Sequence, residues 1–151
     1  MHELNLPSFS IKTKQSSAGL QVFDVVRRKY VQLTPEEWVR QHLINYMIHH
    51  LAYPKNLLAV EKRITFNGLT KRYDIAVYNK YFQPVLLVEC KAPHIAISQD
   101  AFDQIARYNL VLKVNYLVVS NGINHYCCKV DLKKEKIHFL QQIPLYTSID
   151  N

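Results

Sequence analysis

The sequence predicts an α/β fold, in which a mixed β-sheet carries helices on its faces. Its 151 residues are enough for one domain with a single core. Apolar residues recur with helical spacing after Thr34 and again after Ser98. Between and after these two segments lie short runs of β-branched and aromatic residues. Helices that alternate with strands in this way are typical of a sheet covered on both faces.

The N-terminal region is predicted to lie at the edge of one domain that spans residues 1–151. Residues 1–19 are polar and are expected either to be mobile or peripheral or to form a short strand around residues 9–11. Residues 20–26 and 30–33 are rich in strand-forming side chains. The basic run between them is consistent either with a hairpin or with two strand fragments.

A first helix is predicted to begin after Thr34 and to end near residue 50. Thr34 is a preferred N-cap, Pro35 suits the first helical position and Glu37 completes a capping box. The expected sheet-facing side consists of Val39, Leu43, Ile44, Met47, Ile48 and Leu51.

A hairpin and a buried strand follow this helix. Residues 58–66 alternate between apolar and polar side chains, and the Asn67-Gly68 pair after them is a strong hairpin signal. Residues 69–78 should therefore return as the second strand. Residues 85–88 are all aliphatic, which predicts a central strand covered on both faces.

The last third of the chain is predicted to form one helix and three strands. Ser98 can cap a helix over about residues 99–113. Residues 114–120 form an apolar strand, and residues 125–130 and 136–143 should form a final hairpin.

Composition narrows the function classes. The net charge of +7 favours a polyanionic partner, although a basic protein without such a partner has the same charge. The three cysteines form no disulfide framework, and the first 20 residues lack a secretory signal. With no apolar run long enough for a membrane span, a cytoplasmic location is expected and a membrane partner is not.

The residues that carry chemistry are Asp74, Glu89 and Lys91. Glu89 and Lys91 share one strand face directly after the buried strand, where charges are costly unless they are paired or bind a metal. Asp74 lies on the strand expected to be adjacent, so its carboxylate could converge with that of Glu89. Two such carboxylates suit Mg²⁺ or Mn²⁺, and a nearby lysine can hold the attacking water. The alternative is an ordinary charged cluster at a strand end.

The motifs around these residues resemble a known nuclease family. Asp74 and the Glu89-Cys90-Lys91 triplet match the pattern of PD-(D/E)xK nucleases, with Tyr73 where proline is common. Residues 34–41, 73–78, 88–93, 104–109 and 119–122 resemble the N-terminal nuclease domain of type I restriction enzyme R (HsdR) subunits. The resemblance covers about residues 20–128 and implies a restriction-endonuclease-like mixed sheet flanked by helices.

The resemblance also implies supporting residues. A Gln-x-x-x-Tyr motif on the helix after the catalytic strand corresponds to Gln104 and Tyr108, which share a helix face. The family places an acid on the first helix near the metal, and Glu36 and Glu37 both fit. Glu36 is favoured because the helical wheel puts it in the middle of the sheet-facing stripe and Glu37 at its edge. The alternative is that both only favour the helix N-terminus.

These observations predict a Mg²⁺- or Mn²⁺-dependent DNA endonuclease. Arg63, Lys71 and Arg72 flank the predicted hairpin and are expected to contact the phosphate backbone, whereas the basic runs at residues 27–29 and 133–136 fit either backbone contact or plain solvation. Alternatives are a DNA-binding or assembly module that works with a motor or specificity subunit, and, less favoured, an RNA nuclease. Cutting both strands from one small site would require a homodimer. No zinc motif, Ser/His/Asp arrangement or Gly-rich phosphate loop is present in the sequence.

Overall fold

The structure, a computed structural model, describes residues 2–149 with the exception of the side chain of Tyr108. Within this range the chain forms nine strands and two α-helices. In chain order they are β1 (Thr13–Ser16), β2 (Gly19–Asp24), β3 (Lys29–Gln32), α1 (Pro35–His50), β4 (Leu58–Phe66), β5 (Leu69–Tyr78), β6 (Pro84–Cys90), α2 (Gln99–Leu112), β7 (Tyr116–Ser120), β8 (His125–Asp131) and β9 (Lys136–Leu140). Short 3-10 turns lie at Lys55–Leu57 and Tyr146–Ser148.

Six strands form the main sheet, in the order β4-β5-β6-β7-β8-β9. Strands β6 and β7 are parallel because α2 connects them, and every other neighbouring pair is antiparallel. Strand β6 lies inside the sheet, and all of its residues from Val85 to Cys90 are buried. The predicted α/β class and the predicted buried strand are therefore confirmed.

The two helices cover opposite faces of this sheet. The α1 face meets Ile75, Val77, Leu86, Val88, Val118 and Cys127. The α2 face meets Leu117, Val119, Cys128 and Val130. Successive strand residues alternate between the two clusters, as the pleat of a strand requires. Burial of these aliphatic side chains on both faces is the main stabilising contribution to the fold.

Helix α1 begins as predicted. The Oγ of Thr34 accepts a hydrogen bond from the backbone N–H of Glu37 at 3.0 Å, and Pro35 is the first helical residue. Four of the six predicted sheet-facing residues, Val39, Leu43, Ile44 and Met47, are fully buried. The carboxylate of Glu37 binds the side chains of Arg27, Arg40 and Gln41 rather than completing the capping box.

The N-terminal region forms a separate three-stranded antiparallel sheet, β1-β2-β3. The strand expected around residues 9–11 is instead β1 at Thr13–Ser16, because a tight turn pairs these residues with β2. In that turn the Oγ of Ser16 donates to the carbonyl of Gly19 at 2.9 Å. Of the two alternatives for residues 20–33, the hairpin is correct, since β2 and β3 pair in antiparallel register. Strand β2 ends at Asp24, whose carboxylate accepts the N–H groups of the next turn.

The long β4–β5 hairpin turns at the Asn67-Gly68 pair, as predicted. Both residues have positive φ, 50° and 76°, as a tight hairpin turn requires. Phe66 pairs with Leu69 across the turn, and the hydroxyls of Thr65 and Thr70 are 2.7 Å apart. In residues 2–149, no helix combines the length and apolar character needed to cross a bilayer.

Candidate active site on two neighbouring strands

Asp74 and Glu89 lie side by side on strands β5 and β6. Ile75 pairs with Val88 in the antiparallel register, so the next residue on each strand is Asp74 and Glu89 respectively. The Oδ2 of Asp74 accepts the backbone N–H of Cys90 at 2.7 Å, which fixes this carboxylate against the end of β6. The register therefore places two acidic residues that are fifteen apart in sequence at neighbouring positions of β5 and β6.

The regular alternation of side chains along β5 is interrupted at Asp74. Ile75 packs with the α1-side cluster, whereas Tyr73, two residues earlier, packs with Leu87 and Leu112 on the α2 side. Residues two apart on a regular strand would share one face. Glu61, opposite Asp74 on β4, has a positive φ of 55°, which marks the local irregularity. Asp74 consequently lies where the hairpin twists away from the main sheet.

Arg40 of α1 binds the other oxygen of Asp74. Its Nη2 lies 2.9 Å from Oδ1 of Asp74, and its Nη1 lies 3.1 Å from Oε1 of Glu37. Arg40 is only 5% exposed. Both oxygens of Asp74 are thus held, one by a buried guanidinium and one by a backbone amide, and the carboxylate has a fixed orientation.

Glu89 faces an open cleft next to α2. The cleft has a volume of about 480 Å³ and is lined by Lys71, Glu89, Lys91, Ala101, Gln104 and Ile105. Glu89 is 8% exposed, and its carboxylate forms an ion pair with the ammonium group of Lys71. The structure therefore places Lys91 and Gln104 beside Glu89, and adds Lys71 as its direct partner.

The burial of Glu36 and Glu37, the two acids at the start of α1, differs from the helical-wheel prediction. Glu37, which was expected at the edge of the stripe, is buried at 7% exposure. It accepts from Arg27 Nη2 at 2.6 Å and from Gln41 Nε2 at 3.1 Å, in addition to Arg40. Glu37 is therefore a core residue, because the β2–β3 turn brings Arg27 against the first turn of α1.

Glu36 remains the acid on the site side of α1. Its side chain is 46% exposed and lies 3.7 Å from Arg40. Partial burial, and then the nearby charge of Asp74, raise the pKa of Glu36 above its usual value, while Arg40 and Lys91 act in the opposite direction. Glu36 thus lies close enough to Asp74 and Lys91 for their charges to affect its ionisation.

This perturbation predicts a pH-dependent gain in stability for Glu36→Gln. A carboxyl whose folded pKa is raised destabilises the ionised protein, and this cost is relieved as the pH falls through the folded pKa. The variant should therefore be more stable than the wild type at pH 7, by less than about 1 kcal/mol since the side chain is half exposed. Below about pH 4 the gain should vanish. Thermal unfolding across this pH range measures it, and a gain that persists at low pH would contradict it.

A buried ion-pair network supports the Asp74 side of the site. It consists of Asp24, Arg27, Glu37, Arg40 and Asp74. Arg27 Nε lies 2.6 Å from Oδ2 of Asp24, and Gln41 Nε2 donates to the same oxygen at 3.0 Å. Burial alone would raise the pKa of Asp24, but the backbone and side-chain hydrogen bonds of Arg27 outweigh burial and lower it. Of the two alternatives for the basic run at residues 27–29, plain solvation is wrong for Arg27, whose guanidinium pairs with Asp24 and Glu37.

The predicted DNA contacts lie on the hairpin and on α2. Arg63 and Arg72 are exposed and directly opposite each other on β4 and β5. Like charges in this position repel each other unless an anion lies between them. Gln104 is exposed on α2. The side chain of Tyr108 lies outside the described residues.

The donor set suits a hard divalent cation. Asp74 and Glu89 are carboxylates on adjacent strands, and Mg²⁺ characteristically takes one or two carboxylates and fills its remaining positions with water and substrate phosphate. In residues 2–149, no three or more His, Cys, Asp or Glu side chains are grouped to hold a metal ion. A metal at Asp74 or Glu89 would therefore need water and phosphate to complete its coordination.

Comparison with known structures defines the class of fold. A fragment of an HsdR subunit of a type I restriction enzyme from Vibrio vulnificus superposes with a TM-score of 0.52 at 18% identity, over 78% of this chain and 24% of that chain. This likeness, with the mixed sheet and its flanking helices, defines a nuclease-like α/β fold. The chain spans about a quarter of the length of that structure.

Sequence comparison defines the family. The family described as "Type I restriction enzyme R protein N terminus (HSDR_N)" matches residues 35–144, which include both helices and all six strands of the main sheet. The chain belongs to this family. A search of curated proteins gave no match.

Proposed function

We propose that this domain hydrolyses DNA phosphodiesters with the help of a divalent cation, Mg²⁺ or Mn²⁺. The observation that carries the proposal is the neighbouring position of Asp74 and Glu89 on β5 and β6, with Lys91 lining the same cleft as Glu89. Membership of the restriction R-subunit family supports it. Rigid strands suit such a site, since the geometry of a catalytic group must be held closely.

Each residue has a role in the proposed reaction. Asp74 and Glu89 would hold the cation, which when bound neutralises a phosphate and lowers the pKa of a water. Lys91 holds the attacking water and stabilises the charge that develops on the phosphate oxygens. Gln104 orients the water or the backbone from α2. Glu36, on the site side of α1, supports the metal site.

The proposed DNA surface extends from the cleft along the β4–β5 hairpin. Lys71, Arg63 and Arg72 supply positive charge there, and Tyr108 is assigned to the same surface from its spacing to Gln104. In the complete enzyme we expect a motor or specificity subunit to deliver the DNA, and cleavage of both strands to require two copies of the domain. Three free cysteines suit a cytoplasmic setting.

Plasmid cleavage tests the proposal. Supercoiled plasmid is incubated with the wild-type domain in Mg²⁺, in Mn²⁺ and in EDTA, and the nicked and linear products are measured over time. We expect conversion in both metals and none in EDTA. Conversion that continues in EDTA would contradict metal-dependent hydrolysis.

One observation favours a second function, a partner-dependent DNA-binding module. Both carboxylates are already bound by protein cations, Asp74 by Arg40 and Glu89 by Lys71. A domain in this state could need DNA or a partner subunit before it takes up metal. If the isolated domain binds DNA but cleaves none, and Lys91→Ala leaves the DNA affinity unchanged, this second function is favoured.

A further inference from the structure

Lys71 and Arg40 neutralise the two proposed metal ligands in different ways. Lys71 is on β5 and forms its ion pair with Glu89 at the edge of the cleft. Arg40 is on α1 and binds Asp74 from inside the fold. Each carboxylate therefore has a positive partner within the protein before any metal is present.

The two cations differ in how easily they can leave. The side chain of Arg40 is 6% exposed and is shared between Asp74 and Glu37, so its removal from Asp74 would break a buried network. The side chain of Lys71 is 26% exposed and its ammonium is at the end of a flexible stem. Movement of Lys71 into the cleft would expose its charge to water, which is the environment that a lysine prefers.

Removal of Lys71 would leave Glu89 with an uncompensated charge. Glu89 is 8% exposed, and a buried carboxylate without a partner is costly. A divalent cation in the cleft supplies the charge that Lys71 supplies in the free protein. Two positive centres beside one largely buried carboxylate repel each other, so the ammonium and the divalent cation compete.

We propose that Lys71 is a displaceable counter-ion, which holds the place of the metal at Glu89 in the free domain and is released when a divalent cation binds. The freed ammonium is then available to a DNA phosphate at the same cleft. The proposal rests on the proposed function, because it requires Glu89 to be a metal ligand. Lys71 is here a positioning residue that affects metal occupancy, not a residue of the reacting centre.

Binding of Mn²⁺ to the isolated domain tests the proposal without reference to cleavage. Free Mn²⁺ is measured by electron paramagnetic resonance in titrations of the wild type, Lys71→Met, Lys71→Arg, Arg72→Met and Glu89→Gln. Arg72→Met is the matched control, since it removes one positive charge from the neighbouring, exposed position. Circular dichroism melts establish that each variant is folded.

We expect Lys71→Met to bind Mn²⁺ about tenfold more tightly than the wild type, because the competing cation is gone. Lys71→Arg should remain near the wild type, since a guanidinium can still pair with Glu89. Arg72→Met should change the affinity by less than about twofold, because an exposed charge is screened. Glu89→Gln should lose most of the binding.

Two outcomes would overturn the inference, and they are distinguishable. If Glu89→Gln weakens Mn²⁺ binding but Lys71→Met binds no more tightly than Arg72→Met, Lys71 does not compete and the metal site stands. If Glu89→Gln binds Mn²⁺ as the wild type does, or the wild type binds none, the metal site itself fails and the role of Lys71 fails with it.

Discussion

Glu89→Gln is expected to lower the rate of metal-dependent DNA cleavage by at least about a thousandfold. The amide has nearly the shape of the carboxylate and should fit the same buried position at the end of β6. It lacks the negative charge that a hard divalent cation requires. Because Asp74 is then the only proposed carboxylate ligand, metal occupancy falls together with the catalytic rate.

The control for this prediction is Glu135→Gln. Glu135 is exposed in the turn between β8 and β9, away from the cleft residues, and the variant makes the same change of charge. Initial rates of plasmid nicking at several Mg²⁺ concentrations compare the two variants. Equal rates in Glu89→Gln and Glu135→Gln would show that Glu89 takes no part in the reaction.

Arg40→Met is expected to destabilise the domain by about 3–5 kcal/mol. The variant keeps the apolar stem of the side chain but leaves Glu37 without its partner at 3.1 Å and Asp74 without its partner at 2.9 Å. Glu37 lies in the core and would keep Arg27 as its one cationic partner, while the network around it would carry one positive charge fewer. Urea unfolding, followed by circular dichroism, measures the change in free energy.

A double variant separates lost charge compensation from lost packing. If the cost of Arg40→Met comes from the excess of negative charge that it leaves in the network, Glu37→Gln in the same chain should recover part of it. Arg72→Met, an exposed arginine, is the control and should change the free energy of unfolding by less than about 0.5 kcal/mol. A loss in Arg40→Met no larger than in Arg72→Met would contradict the assignment of a buried network.

Elements with strong local signals could be predicted from the sequence. The cap at Thr34, the apolar spacing of α1, the Asn67-Gly68 turn and the aliphatic run of β6 each depend on neighbouring residues, and all four are present in the structure. The neighbouring positions of Asp74 and Glu89 followed from one assumption, that the returning hairpin strand pairs with the buried strand. Once that pairing is assumed, the register of the two strands places Asp74 opposite Glu89.

The ion-pair network could not be predicted in the same way. Its members come from the end of β2 and the β2–β3 turn, from the first turns of α1 and from Asp74 of β5. They meet only because the small sheet packs against α1. Nothing in the local sequence of Glu37 distinguishes a buried ion pair from a capping role. The Arg27 contact decides between these roles, and it is a tertiary contact.

The choice of first-helix acid shows the same limit. A helical wheel treats the whole stripe as facing an apolar sheet, but the first turn of α1 faces Arg27 of the β2–β3 turn instead. Glu37 is buried there because Arg27 and Arg40 compensate its charge. Glu36 points to the half-exposed side near Asp74 and Lys91. Which of the two acids is buried therefore depends on the side chains that the rest of the fold places beside the helix.

The most direct test of the central claim is the rate of plasmid nicking by the wild type and by Lys91→Ala in Mg²⁺. Lys134→Ala, which changes an exposed lysine in the β8–β9 turn, is measured beside them. A metal-dependent nuclease centred on Asp74, Glu89 and Lys91 predicts nicking by the wild type and by Lys134→Ala, and a loss of at least about a hundredfold in Lys91→Ala. Equal rates in all three proteins would contradict the assignment of this site.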